Sequence, residues 1–413
     1  MSSHDYQRIL SGVERYSLVI NEVYRYNVDG IVSGYGSLSA DELQRAVAVA
    51  AAANPGLRVR LKSVLYFSKW VDSGIAPKVV EINAPRWDGC SELNADFLLQ
   101  RFTPFDGGPI ADVMLVRGAD KKIFIIFRSL HAAMDGRSVM HWMQEVFRAL
   151  RGEVLIGGAS TLTDYDVAAQ YRDHFTLDKK PPAMPVYIPI VPPSDQRDPE
   201  LHYMWRTISI PGKINNILPR AAVYLAEYAH RQGEGVVGFT IPVDLRGRRT
   251  DVNSNGNLTG YLRIHVNPDD TPKTIMRQIN QQIHDYVDCK VPLGARVLRW
   301  IPVNLLIRKL RKTLDAVLYT VNKDLPTGGL VSMGQTDQKL YSTEHFRCDR
   351  MYGIPGAVGK LNMVAINLPD VTIVTFSAPK NYNRNGEIDR LTQDFAQTFS
   401  ARTNQHELAK VAP

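Results

Sequence analysis

The chain has 413 residues, 44% of them hydrophobic and 22% charged, with a formal net charge of +7 at pH 7. That length exceeds what one hydrophobic core usually organises, and the composition is that of a globular protein, so two lobes are expected and a low-complexity or fibrous chain is excluded. The three cysteines, Cys90, Cys289 and Cys348, are odd in number and far apart, which argues against a disulfide framework or a paired-cysteine zinc site.

Met1 to Arg8 are mostly polar, unlike a basic and then apolar leader, and no apolar run reaches the length of a membrane span. The expectation is a cytoplasmic protein without a membrane span. No His-Glu-x-x-His, phosphate-cradling P-loop or dinucleotide fingerprint occurs, so neither a metal nor a permanently bound cofactor is expected.

In chain order, Ser39-Ala40-Asp41-Glu42 is a capping box that opens a helix through Leu43, Val47 and Ala51, and Asn54-Pro55-Gly56 stops it. Leu57 to Leu61, Val64 to Phe67 and Lys78 to Ile82 read as strands, followed by a helical patch near Ser91 to Gln100. Phe105-Asp106-Gly107-Gly108-Pro109 makes a turn, and Ile110 to Val116 with Lys122 to Arg128 reads as a hairpin.

The apolar run Ile123 to Phe127 leads directly into His131-Ala132-Ala133-Met134-Asp135-Gly136. Polar residues that follow a buried strand emerge at the sheet edge, and histidine is the side chain whose ordinary pKa suits it to take up and return a proton near neutrality. His131 is therefore a candidate general base. Asp135 and Gly136 turn the chain into a helix from Arg137 to Leu150, whose Val139, Met140, Met143, Val146, Phe147 and Leu150 form one apolar stripe.

From about Arg151 to Arg197 the pattern dissolves into a proline-rich passage, with Lys180-Pro181-Pro182 and Pro189 to Pro193 as its markers. This divides the chain into a lobe over residues 1–175, a crossover over 176–200 and a second lobe over 201–413. In the second lobe, His202 to Ile210, Gly235 to Val243 and Tyr261 to Val266 read as strands. Thr271 to Val287 and Ala295 to Leu314 read as helices, Met363 to Leu368 and Val371 to Ala378 as a late hairpin, and Glu387 to Ser400 as a closing helix.

Part of the positive charge is concentrated between Arg296 and Lys312, where Arg308, Lys309, Arg311 and Lys312 accompany an apolar stripe. Two readings stand: a solvated helix face, or a surface that docks the phosphates of a coenzyme or an acidic carrier protein. Nucleic acid is not expected, because aromatic residues are not interleaved with the basic ones.

Phe105-Asp106-Gly107-Gly108-Pro109-Ile110, the strand pair and His131-x-x-x-Asp135-Gly136 resemble the chloramphenicol acetyltransferase-like superfamily of thioester-dependent acyltransferases, which includes condensation domains. Asn54-Pro55-Gly56-Leu57-Arg58, Pro242-Val243-Asp244-Leu245-Arg246 with Gly256-Asn257, and Val331-Ser332-Met333-Gly334 extend the resemblance over nearly the whole chain in the family's order. It implies an α/β (α+β) architecture of two lobes, each a mixed sheet flanked by helices, forming a V around a central tunnel.

It further implies that His131 is the base, that Asp135 pairs with an arginine of the second lobe to fix the loop, with Arg246 the first choice and Arg248 the second, and that Gly136 leaves room for substrate. Ser332 is either an oxyanion donor or a turn residue, and Trp142 and Tyr261 either line the tunnel or belong to the core. The implied partners are an acyl-coenzyme A or a phosphopantetheinyl carrier-protein thioester as donor and a small amine or alcohol as acceptor, handled by a monomer.

Two departures leave the subfamily open. Leu130 stands where condensation domains carry an additional histidine, and the Asp-Phe-Gly-Trp-Gly segment of the plant-type enzymes is absent. The rival from another class is a noncatalytic scaffold that binds carrier proteins, against which the intact His131-x-x-x-Asp135-Gly136 counts.

Overall fold

The computed structural model describes residues 6–62, 68–175, 185–193, 203–249, 252–291, 297–298, 300–309, 325–356, 360–383 and 386–411. Its architecture is mixed α/β, with open sheets and helices packed against them.

The first large sheet has five strands. In chain order they are β2 (Asn27–Gly36), β5 (Lys78–Asn83), β6 (Ala111–Arg117), β7 (Ile123–Leu130) and β12 (Phe346–Ile354), arranged β12-β2-β7-β6-β5. All eight residues of β7 are buried, as its unbroken apolar run requires of a strand covered on both faces. It pairs antiparallel with β6 and β2, setting Leu130 opposite Asn27 and Ser129 opposite Val28 on one side and Ala111 on the other.

Helices α2 (Ala40–Ala53) and α3 (Gly136–Leu150) pack against each other, and α3 lies on β2. Ser39 caps α2 by accepting from Glu42 N–H while the Glu42 carboxylate returns to Ser39 N–H, the reciprocal arrangement expected from the sequence. Helix α1 (Gly12–Val23) carries an equivalent box at Ser11 and Glu14. A smaller sheet joins β1 (Gln7–Ile9), β4 (Lys69–Asp72) and β3 (Val59–Lys62).

The second large sheet has six strands. They are β8 (Tyr203–Pro211), β9 (Val237–Asp244), β10 (Thr259–Val266), β11 (Gly328–Gln335), β13 (Asn362–Asn367) and β14 (Val371–Pro379), in the order β10-β9-β11-β13-β14-β8. Its core face is covered by α5 (Ile217–His230), α6 (Pro272–His284) and α7 (Glu387–Val411), which enclose Phe239, Leu262, Ile264, Met363, Phe376 and Phe395. Between the two sheets in sequence lies the short helix α4 (Asp164–Ala168).

The halves interlock. β12, from the second half of the chain, supplies an edge of the first sheet by pairing along β2 from Phe346↔Gly36 to Ile354↔Asp29. Of the expected strands, Val64 to Phe67 lies outside the described residues, as do 176–184 and 194–200 of the crossover. Elements β1, α1, β2, β4, α4, α5, β11 and β12 were not among those expected. In β2 the glycines that obscured the strand pattern have physical causes: a Cβ on Gly34 would strike the Arg347 carbonyl of β12, and one on Gly30 would sit 2.6 Å from Met143 Sδ under α3.

Candidate active site

β7 ends at Leu130, and the chain turns through residues 131–134 with Ala133 N–H and Met134 N–H both donating to Leu130 O, at 2.9 and 3.2 Å. Asp135 then caps α3, its Oδ1 accepting from Ser138 N–H at 2.8 Å. A carboxylate suits that place because the first helical N–H groups are unpaired and the helix end is electropositive.

His131 is held from the first half by Tyr26. Tyr26 O accepts the His131 main-chain N–H at 3.0 Å, and the two rings stack with centroids 4.6 Å apart and planes 20° from parallel. Arg8, ion-paired to the buried Glu14, donates to Ala133 O at 3.0 Å and so braces the middle of the turn.

The second half supplies the other side through Arg246 and the segment 256–258. Asn257 Nδ2 donates to His131 O at 2.8 Å and lies 3.5 Å from His131 Nδ1. Leu258 N–H donates to Asp135 Oδ2 at 2.7 Å, and Ser138 Oγ donates to Gly256 O at 2.8 Å. Three consecutive residues thus grip the base, the carboxylate and the first turn of α3.

Arg246 fills the space between. Its Nη1 donates to Asp135 Oδ2 at 3.0 Å and to Asp244 Oδ1 at 2.8 Å, its Nη2 to Ser138 Oγ and Gly256 O at 2.7 Å each, and its Nε to Ser254 O at 3.1 Å. Arg248 is engaged elsewhere, donating to both Asp288 oxygens at 2.9 and 2.6 Å. Of the two arginine candidates, Arg246 is therefore the one in contact with Asp135.

Burial alone would raise the Asp135 carboxyl, but the Arg246 guanidinium and the Leu258 and Ser138 N–H groups hold it below the usual carboxylate range. His131 is shifted down from the usual histidine range by burial, against the raising influence of its own carbonyl, the Asp135 charge and the Met134 carbonyl. A neutral imidazole follows at pH 7. Nδ1 is the ring nitrogen that lies 3.5 Å from the Asn257 amide.

A Cβ on Gly136 would meet Met333 Cε and Sδ at 3.5 and 3.6 Å, so β11 reaches the start of α3 through Met333. Ser332, on the same strand, accepts from Gly334 N–H at 3.3 Å where the β11–β13 register shifts. Trp142 belongs to the core, contrary to a place on a tunnel wall. It has no exposed surface and packs edge-on against Phe127 at 5.1 Å, because it stands on an arc of α3 turned toward the sheet. Tyr261 lies on the opposite face of β10 from the core residues Leu262 and Ile264 and exposes 42% of its surface.

Arg308 and Lys309 are exposed in a helical stretch that buries Val303 and Leu306, whereas Arg311 and Lys312 lie outside the described residues. Among the described residues no group of three or more His, Cys, Asp or Glu side chains is placed to hold a metal ion, and no helix is long and apolar enough to cross a membrane.

Tyr26, Ser138 and the amide of Asn257 were absent from the candidates read from sequence. Only Asn257 left a trace there, as the residue after Gly256.

No family model matches the sequence, and no curated protein does. Among solved structures, the chain is similar to the starter condensation domain of the rhizomide synthetase RzmA, at 14% identity and TM-score 0.60 over 96% of each chain. The chain has the condensation-domain fold. A variant of that domain in complex with C8-CoA matches with TM-score 0.63 at 14% identity, covering 96% of this chain and 95% of that one. The condensation domain of the Monacolin K polyketide synthase MokA matches with TM-score 0.60 at 10% identity, covering 96% of this chain and 97% of that one. In this condensation-domain fold, the turn after β7 and the segment 256–258 come from opposite halves of the chain and meet at His131.

Proposed function

We propose that the protein is an acyltransferase that moves an acyl or aminoacyl group from a coenzyme A or carrier-protein thioester to an amine or alcohol. The observation that carries this reading is His131, shifted toward its neutral form and fixed from both halves of the chain. The complex of a similar domain with C8-CoA supports a thioester donor.

The acceptor's N–H or O–H attacks the thioester carbonyl while its proton passes to His131 Nε2. The tetrahedral intermediate then collapses, expelling the thiolate, which takes the proton back from His131. A well-placed base contributes about 10²- to 10⁴-fold, and the remainder comes from orientation and stabilisation of the oxyanion. Ser332 suits the latter role on chemical grounds, since Oγ accepts from Gly334 N–H and keeps its own O–H to donate. Gly136, adjoining Met333, keeps the entry to α3 free of a side chain.

Direct attack without an acyl-enzyme fits the cysteines. Burial pushes the Cys289 and Cys348 thiols up to about 11 and about 12, and Cys90 is raised as well, which makes all three poor nucleophiles at neutral pH. On this reading the protein acts as a cytoplasmic monomer in secondary metabolism. Arg308 and Lys309, exposed on their helical stretch, meet the donor's phosphates or a carrier protein, and residues 1–175 and 201–413 act as the two lobes.

The test is thiol release and product mass with octanoyl-CoA or an octanoyl carrier protein and a panel of amines and alcohols. His131→Ala is expected to cut turnover by about 10²-fold or more while keeping the wild-type melting curve. Undiminished product formation by folded His131→Ala would sink the assignment.

A further inference from the structure

Tyr26 stands directly across from the base. β2 and β7 pair antiparallel with Asn27 opposite Leu130, and the ladder runs one step further through the His131 N–H, which donates to Tyr26 O at 3.0 Å. Residues opposed in an antiparallel pair put their side chains on the same face. That is why the phenol ring lies on the imidazole, with centroids 4.6 Å apart and planes 20° from parallel. One edge of the ring is fixed by the second half of the chain. A Cβ on Gly356, just beyond β12, would come within 3.3 Å of Tyr26 Cε2 and 3.4 Å of Cδ2, and Gly356 O accepts from Asn362 Nδ2 at 3.0 Å at the start of β13. The ring is held on a face and an edge.

The hydroxyl, by contrast, is left unengaged. Tyrosines at similar or greater depth in this protein commit their O–H to a main-chain acceptor: Tyr352 donates to Gly89 O at 2.6 Å and Tyr171 to Arg248 O at 2.9 Å. Tyr26 is half-buried, and among the described residues its hydroxyl neither donates nor accepts. The surrounding protein raises its phenol above the ordinary range, so the proton stays on the oxygen at neutral pH. A fixed and protonated O–H beside a base is suited to meet charge that develops on a carbonyl oxygen, and tyrosine is among the side chains that serve in this way.

We propose that Tyr26 is a catalytic residue whose hydroxyl donates to the thioester oxygen as the tetrahedral intermediate forms, in addition to any donor from Ser332. This rests on the acyltransferase reading and deepens it. As the acceptor's nitrogen or oxygen bonds to the carbonyl carbon, the C=O π pair moves onto the oxygen and is met by the Tyr26 O–H without proton transfer, while the acceptor's proton goes to His131. When the C–S bond breaks, the pair returns to the carbonyl and the thiolate takes the proton from His131.

Tyr26→Phe keeps the ring and its stack on His131 and removes only the hydroxyl. A stable ketone analogue of octanoyl-pantetheine, with methylene in place of sulfur and an isotope-labelled carbonyl, is bound to the full chain and read by infrared difference spectroscopy. Its carbonyl stretch is expected at lower frequency in the wild type than in Tyr26→Phe, and this readout needs no turnover. In thiol release, Tyr26→Phe is expected to lower kcat by about 10²-fold with KM and the acid limb of the pH profile unchanged, because the imidazole keeps its stacking partner. Tyr26→Leu should lose at least as much and shift the acid limb as well, since it also removes the stack. A kcat close to wild type in folded Tyr26→Phe, equal carbonyl frequencies in the two proteins, or no binding of the ketone would overturn the role of the hydroxyl. Absence of thiol release with every donor and acceptor would instead overturn the acyltransferase reading, and the carbonyl frequencies would still decide whether Tyr26 meets a donor carbonyl.

Discussion

Replacing Arg246 by Met removes the guanidinium at the junction of the halves while keeping most of its length. The side chains of Asp135 and Arg246 are 7% and 16% exposed, so the carboxylate left behind stays in a poorly solvated site. Breaking a buried pair by deleting one partner costs roughly 3–5 kcal/mol. Asp135 retains the Leu258 and Ser138 N–H groups, and Gly256 O retains the Ser138 hydroxyl. These survivors place the expected loss near the low end, about 3 kcal/mol.

The sign of the pH dependence follows from the depressed Asp135 carboxyl. Its contribution to stability is present above the unfolded value near 3.8 and is lost as pH falls through the lower folded value. Without Arg246 the depression shrinks, so the variant should lose structure at a higher pH than the wild type on acid titration. Urea unfolding near neutral pH, acid titration by circular dichroism and thiol release are the assays. Arg248→Met is the control: its partner is Asp288, away from the base, so it should leave kcat close to wild type. A loss below about 1 kcal/mol for Arg246→Met, or equal kcat losses for both variants, would remove the role assigned to this pair.

Two further predictions concern the base itself. Because burial places His131 below its usual 6.5, the acid limb of the kcat/KM profile should fall below that pH, and a limb above it would contradict a buried neutral imidazole. Asn257→Ala removes the amide donor 2.8 Å from His131 O. One hydrogen bond of about 1 kcal/mol translates to a loss in kcat of roughly five- to tenfold with KM nearly unchanged, accompanied by a shifted pH profile. An altered melting temperature with normal kcat and pH profile would reduce Asn257 to a structural residue.

The legible parts of the sequence were those governed by local rules. The β7 run, the Ser39 capping box and the α3 stripe each follow from periodicity and end chemistry within one segment, and each is found where expected. β2 was not legible because Gly30 and Gly34 answer to neighbours distant in sequence, Met143 on α3 and Arg347 on β12. Asp135 and Arg246 were paired on resemblance, with Arg248 left as the alternative. Nothing local distinguishes the two arginines, since the choice depends on where Asp288 and the segment 254–258 come to lie. Trp142 stayed open between tunnel wall and core for a related reason: its helix follows from local pattern, but which arc of that helix faces β7 is fixed by packing.

The contacts that make the site span long stretches of chain: 111 residues separate Asp135 from Arg246, and 126 separate His131 from Asn257. The base and its helix cap come from a hairpin and turn that form locally, whereas the groups that aim them arrive only when the second half docks. Loop closure over such lengths must be offset by the interface itself, including β12 along β2. Loosening that interface should therefore abolish positioning of His131 before it abolishes secondary structure in either half. The ion pair at Asp135 then acts as a reporter of docking: it stabilises little in net terms against desolvation, yet its geometry can be satisfied only when both halves are in place.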